Sequence, residues 1–241
     1  KNIDKDSLAT FMQLGYIPAP NTIYKDVYKV EPGTYITIYN NSKHEVKKYW
    51  TLDNYHQNRS SYQNNKKSTI NNLEELLIQS VNEQMISDVP IGAFLSGGID
   101  SSLITAIMQS LSDKPINTFS IGFVNKDYDE SLYSNRIAKY LRTNHHEKII
   151  GPKDCLDIIP KLSQIYDEPF GDSSSMPTYL LSKLAKESVT VSLSGDGADE
   201  LFGGYERYYR GMAYWRILSA IPIQIRKYIR YLLLSLPAKS I

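Results

Sequence analysis

The chain has a single cysteine, Cys155, in 241 residues. No disulfide can close within it and no cysteine-based zinc cluster can be built. That scarcity fits a reducing, cytoplasmic setting. Excess charge is also lacking: 27 Lys and Arg face 26 Asp and Glu, a formal net charge of +1. Such a balance gives no field to draw nucleic acid or a membrane surface as the main partner. Long apolar runs are missing too. The most apolar stretch, Tyr228 to Leu236, is interrupted by Arg230 and falls far short of the ~20 residues a membrane span needs. No charged-then-apolar leader follows Lys1, so no signal peptide is expected. The lack of an initiator Met points to a piece of a longer polypeptide.

What is present divides into two textures. Residues 1–52 predict a short helix over Leu8 to Gly15, a Pro-rich turn, and a β-rich fragment. There the period-two run Thr34 to Tyr39 and the segment His44 to Trp50 flank the turn Asn40-Asn41-Ser42. Such a fragment is too small to stand alone. From residue 53 to 70 Asn, Gln, Ser, Tyr and Lys dominate, which reads as a linker. After it, short apolar strands alternate with helical periodicity. Leu73, Leu76, Leu77 and Val81 mark a helix, Val89–Leu95 a strand and Ile99–Leu111 a helix. Ile116–Phe123 is a strand, Glu130–Leu141 a helix and His145–Ile150 a strand. Cys155–Ile165 and Pro177–Lys186 read as helices, Val189–Leu193 as a strand, and the tail from Arg207 as helix broken near Pro222 and Pro237. This alternation predicts an α/β fold with a doubly wound, mainly parallel sheet flanked by helices.

The sharpest motif is Leu95-Ser96-Gly97-Gly98-Ile99-Asp100-Ser101-Ser102, which follows an apolar strand and opens a helix. Main-chain N–H groups and the positive end of a helix dipole suit an anion there. Gly97 and Gly98 let the backbone approach phosphate oxygens closely, and three serines add hydroxyls. Asp100 would repel phosphate directly, but fits if Mg²⁺ lies between them. No lysine follows the glycines, which excludes a Walker A loop. Phe94 stands where a nucleophile elbow needs glycine, which excludes that motif.

A second motif runs Val191-Ser192-Leu193-Ser194-Gly195-Asp196-Gly197-Ala198-Asp199-Glu200-Leu201-Phe202-Gly203-Gly204-Tyr205. Its last dinucleotide-fingerprint position is Glu200 rather than glycine, which argues against a Rossmann loop. Three carboxylates within five residues repel one another unless a cation or hydrogen bonds offset the charge. For an arbitrary cluster a solvated acidic turn is the plainer reading. Loops leaving the carboxyl ends of parallel strands line one crevice, so Asp100 and Asp199 are candidates to share one Mg²⁺. Elsewhere, Asp129 and Glu130 read as helix caps. His145-His146 lack a third metal ligand at a usual spacing and read as the start of a strand. The run Tyr205, Arg207, Tyr208, Tyr209, Arg210 reads as a helix face rather than an RNA-binding patch.

The two motifs resemble the asparagine synthetase branch of the ATP-pyrophosphatase family, whose fold is of the adenine nucleotide α-hydrolase type. The resemblance implies that the first loop grips the β- and γ-phosphates of ATP through Ser96, Gly97, Gly98, Ser101 and Ser102. It implies Asp100 and Asp199 as Mg²⁺ ligands, and Leu95, Ile121, Ser194 and Gly195 as contacts around adenine and ribose. Tyr205 falls near the reacting groups. Asp196 stands where bacterial and human asparagine synthetases carry glutamate, which leaves the acceptor acid open. Asp172 and Ser173 fall in a loop bordering the substrate pocket. Residues 1–52 resemble the end of the family's glutaminase domain, and 71–241 its synthetase domain, cut short at the C-terminus. The glutaminase cysteine expected at a mature N-terminus is absent, so ammonia would come from a glutaminase domain missing here, and the fragment alone is expected to be inactive. The implied reaction adenylates a carboxylate, aspartate first among candidates, releases pyrophosphate and transfers glutamine-derived ammonia, with a homodimer among the assemblies allowed. Two alternatives stay open. One is a ligase of the same fold amidating another acid, such as a sugar acid in polysaccharide biosynthesis. The other is an ATP-binding module with incomplete catalysis.

Overall fold

A computed structural model of the chain describes residues 2–40, 43–53 and 65–234. The chain forms two compact units, 1–194 and 195–241, and the notable feature of that division is that it cuts the second motif between Ser194 and Gly195.

In the first unit, helix α1 (Lys5–Leu14) is capped by Asp4, whose carboxylate accepts from the Ser7 N–H and hydroxyl, and ends at Gly15 in the left-handed region. Strands β1 (Thr34–Ile38) and β2 (His44–Lys48) pair antiparallel, as the alternating run Thr34–Tyr39 and the returning segment His44–Trp50 predict. Helix α2 (Lys66–Gln84) starts inside the stretch that composition assigns to the linker, because Asn65 Oδ1 accepts from the Lys67 and Ser68 N–H groups and caps it. The polar composition there is an exposed helix face, which loop-like residues can supply once capped. The rest of the expected linker, 54–64, lies outside the described residues.

The main sheet is four-stranded and fully parallel. Its strands are β3 (Ile91–Phe94), β4 (Asn117–Phe123), β5 (Asn144–Ile150) and β6 (Val191–Leu193), in spatial order β5-β4-β3-β6. Helix α3 (Ile99–Ser110) links β3 to β4, and α4 (Ser131–Leu141) links β4 to β5. The expected Cys155–Ile165 helix is instead α5 (Pro152–Leu156), a 3₁₀ turn at Ile159–Lys161 and α6 (Leu162–Ile165). Pro160 lacks the N–H that a continuous helix requires. Helix α7 (Ser175–Ala185) then leads to β6.

Apolar packing covers both faces, as a buried parallel sheet requires. On one, Val81 of α2 and Ile107 and Met108 of α3 pack with Ala93 and Ile116. On the other, Phe119 meets Ala185 and Val189, and Ile150 meets Ile158 and Leu180. The architecture is thus the α/β, doubly wound arrangement expected. No helix among the described residues is long and apolar enough to cross a membrane.

Among the described residues the second unit holds three helices: α8 (Ala198–Phe202), α9 (Glu206–Ser219) and α10 (Ile223–Leu234). The break near Pro222 falls between α9 and α10. Pro237 lies outside the described residues.

Candidate active site

The strand order places the topological switch point between β3 and β6. The chain runs outward through β4 and β5 on one side, then returns to β6 on the other side of β3. Ligands of open parallel sheets bind outside the carboxyl ends of the strands at such a point. Phe94 and Leu193 end these two strands, with Ala93 and Leu193 in register. The first motif therefore begins at the switch point.

The loop is built by its own serines. The Leu95 N–H continues the ladder to Phe119 O at 2.9 Å, and Leu95 is 1% exposed, a closed support beneath the turn. The Ser101 hydroxyl accepts from the Ser96 N–H at 3.2 Å and lies 2.9 Å from the Ser96 hydroxyl. Ser96 Oγ in turn accepts from the Gly98 N–H at 3.2 Å. Gly97 has φ +89°, and a β-carbon there would sit 2.7 Å from the Ser134 N and from Tyr133 of α4. Only glycine lets α4 pack that closely behind the loop. Gly98 caps α3 with no side-chain hydrogen bond, which leaves the first-turn N–H groups without a capping side chain. Asp100 lies in that first turn. The buried Ser102 hydroxyl has no hydrogen-bond partner. An uncapped helix start, a glycine-only turn and an orphaned hydroxyl make a donor set that suits an anion.

Ile121 of β4 is half-buried and packs against the cluster of Ile150, Ile158 and Leu180. Beyond β4, Asp129 accepts from the Phe123 N–H (3.2 Å), the Ser131 N–H (3.1 Å) and the Ser131 hydroxyl (3.0 Å). These bonds hold the carboxyl below its ordinary range, the Ser131 hydroxyl foremost. The capping role expected of Asp129 and Glu130 thus falls to Asp129, since Glu130 makes no side-chain capping bond. His145 has Thr118 Oγ1 at 2.9 Å on Nδ1 and Ser120 Oγ at 3.1 Å on Nε2. His146 stacks on Phe119, centroids 5.1 Å apart. Both histidines are strand residues with structural partners. Among the described residues no group of three or more His, Cys, Asp or Glu is arranged as a metal site. Mg²⁺ is commonly held by one or two carboxylates, waters and substrate phosphates, with no all-protein cage.

Ser194 ends the first unit and Gly195 begins the second. In the second unit, Gly197 (φ +89°) turns the chain into α8, which carries Asp199 and Glu200 in its first turn. Asp199 lies against Gly204, where a β-carbon would collide with its carboxylate, and the Gly204 N–H donates to Asp199 O at 3.0 Å. The Tyr205 hydroxyl donates to Glu200 Oε1 at 2.7 Å. That bond lowers the Glu200 carboxyl and raises the Tyr205 phenol. Arg207 lies over the Tyr205 ring, 4.2 Å from its centroid. Asp196 sits between Gly195 and Gly197 in the turn before α8. Sequence reasoning passed over the Glu200–Tyr205 bond and the packing of Tyr133 against Gly97. The first had a signal in the five-residue spacing across a glycine turn; the second had none.

The sequence profile described as asparagine synthase matches residues 72–240. A Methanocaldococcus jannaschii protein provisionally named asparagine synthetase (glutamine-hydrolyzing) 2 is 44% identical over 214 residues, covering 88% of this chain and 40% of its own length. Asparagine synthetase (glutamine-hydrolyzing) 1 of Bacillus subtilis is 34% identical over 235 residues, covering 98% of this chain and 36% of its own length. The chain thus spans about two-fifths of the length of these two relatives.

Proposed function

This chain belongs to the asparagine synthase family, and on that premise we propose that it is the nucleotide-binding part of an ATP-dependent ligase that adenylates a carboxylic acid and then amidates it. The observation that carries the reading is the uncapped start of α3 behind the Gly97-Gly98 turn, at the sheet's switch point. Main-chain N–H groups there, with the hydroxyls of Ser96, Ser101 and Ser102, hold the β- and γ-phosphates of ATP. Leu95, Ile121, Ser194 and Gly195 border the adenine and ribose.

Asp100 and Asp199 are the residues proposed to hold Mg²⁺, which when bound offsets charge on the phosphates. Two facts support the pairing. Strands β3 and β6 are parallel neighbours, so the chain leaves both at the same edge. Each aspartate also stands five residues past the residue that leaves its strand, Leu95 or Ser194, a reach of at most ~18 Å.

In the reaction, an oxygen of the acceptor carboxylate attacks the α-phosphorus, and the bond to the oxygen bridging the α- and β-phosphates breaks. Pyrophosphate leaves with that electron pair. The loop's N–H groups stabilise the departing charge, the electrostatic contribution that usually dominates such steps. Ammonia nitrogen then attacks the acyl carbon, AMP departs with the acyl oxygen, and the nitrogen sheds a proton. Asp196 is the residue proposed to accept that proton, and Tyr205 holds the Glu200 carboxylate through its hydroxyl. Ammonia released from glutamine, as the names of the relatives indicate for them, is the proposed nitrogen source. Aspartate is the first acceptor to test, and the shorter Asp196 makes larger acids the second.

The test is acid-dependent pyrophosphate release by the complete polypeptide, whether or not it extends beyond Lys1 and Ile241. Aspartate and a panel of sugar acids are supplied with Mg²⁺ and ATP. Release with at least one acid supports the reading, and which acid it is names the acceptor. ATP binding with no release for any acid overturns it in favour of a binding module. Asp100→Ala is expected to cut release by about a hundredfold or more, the scale seen when a charge-stabilising group is removed.

A further inference from the structure

Behind the glycine-serine loop, the first turn of α4 is held by a carboxylate that belongs to neither motif. Asp129 stands two residues before α4. Its Oδ1 accepts from the Phe123 N–H at 3.2 Å and from the Ser131 N–H at 3.1 Å, and its Oδ2 from the Ser131 hydroxyl at 3.0 Å. Phe123 is the last residue of β4 and Ser131 the first of α4, so one side chain fixes the end of the strand to the start of the helix. Room for it comes from Gly122, where a β-carbon would lie 2.9 Å from both Asp129 Oδ1 and Ser131 Cβ. A cap that served the helix alone would need only the two Ser131 bonds. The third, to β4, sets where the helix starts.

The same turn is what Gly97 packs against. Ser131 O accepts from the Ser134 hydroxyl at 3.0 Å, and Ser134 is fully buried. The Ser134 N lies 2.7 Å from where a Gly97 β-carbon would be, and Tyr133 Cβ is equally near. No side chain fits between them, so the depth of the turn is set by where α4 begins. From the carboxylate through Ser131 and Ser134 to Gly97, each step is a bonded or touching pair. Interiors packed this closely pass a displacement on instead of absorbing it. Losing the Asp129 bonds leaves the first-turn N–H groups of α4 uncapped and free to fray, and the turn that frays is the one behind Gly97.

We propose that Asp129 is a positioning residue for the glycine-serine loop: by tying the start of α4 to the end of β4, it sets where the Gly97-Gly98 turn lies. That the turn holds phosphate rests on the ligase reading above; that Asp129 positions the turn does not.

The test compares the complete polypeptide as wild type, Asp129→Ala, Asp129→Asn and Asn65→Ala. Each is followed by hydrogen–deuterium exchange of peptides covering 94–104 and by titration with ATP and Mg²⁺. Asn65→Ala removes the side-chain cap of α2 and controls for lost stability alone. Asp129→Ala should raise exchange across 94–104 and weaken ATP binding by about tenfold or more, the scale of a lost hydrogen bond to a charged group. Asp129→Asn keeps an oxygen for the Phe123 and Ser131 N–H groups and should recover most of both. Asn65→Ala should lower the urea midpoint and change neither. Ser131→Ala, which removes only the hydroxyl bond, should shift both in the same direction by less, and it takes the place of Asp129→Ala if that variant does not fold. Loop exchange equal to wild type, a change as large in Asn65→Ala, or no recovery in Asp129→Asn overturns the proposal. The titration separates the two readings. Raised loop exchange with no ATP binding by the wild type sinks the nucleotide reading alone. Wild-type binding that Asp129→Ala leaves unchanged shows a helix cap and nothing more, and sinks the positioning alone.

Discussion

Gly97 has Tyr133 and Ser134 directly behind it and sits at φ +89°. Alanine at this position meets both the backbone strain and the collision. Gly97→Ala is therefore expected to lower stability by about 1–3 kcal/mol, read as a shift in the urea midpoint, and to weaken ATP binding at the loop. His145 makes a second residue-scale case. Burial, and then the neighbouring His146, hold its folded pKa below the ordinary 6.5. The unfolded chain therefore binds this proton more readily, and stability falls as pH drops through about 6.5 toward the folded value. Urea midpoints measured between pH 7.5 and 5.5 should decline, and His145→Gln should flatten that decline. The sequence, lacking a spaced third ligand, favoured a strand role for His145 over a metal one. It was silent on the Thr118–His145–Ser120 bonds, since cross-strand register is a tertiary fact.

Among the elements, β4 carries the most packing. Phe119 is fully buried against Ala185 and Val189, and Phe119→Ala should cost about 3–5 kcal/mol, enough to lower the thermal midpoint sharply. Helix α2 shows where composition misleads. Lys66–Ile70 look like linker, yet the Asn65 cap draws them into helix. Asn65→Ala should cost about 1 kcal/mol, seen as a lower urea midpoint without loss of the sheet. The α5–α6 region shows the reverse: apolar spacing promised one helix, and Pro160 divides it. Periodicity detects a buried face but does not register a missing N–H.

For the molecule as a whole, ligand binding couples to stability by mass action. At about 100 times its dissociation constant, ATP with Mg²⁺ should stabilise the first unit by about 2.7 kcal/mol. A thermal-shift assay of the complete polypeptide should show this rise, and Gly97→Ala should diminish it. The cut between 194 and 195 matters here. The loop proposed to hold the phosphates lies wholly in one unit, whereas the acidic motif begins in it and ends in the other. Nucleotide binding is therefore expected to survive in Asp199→Ala better than pyrophosphate release does.

From residues alone came the alternation of strands and helices, the glycine-serine loop proposed to hold phosphate, with its excluded rivals, and the impossibility of a disulfide within the chain. Each of these is written locally, in periodicity, in the positions of glycine and in counts. Only the folded chain decided that β6 returns beside β3 to make a switch point, that α4 presses Tyr133 on Gly97, and that Glu168 meets Lys29. Those depend on contacts between segments tens of residues apart, whose partners are chosen by packing and hydrogen bonding across the sheet rather than by neighbours along the chain.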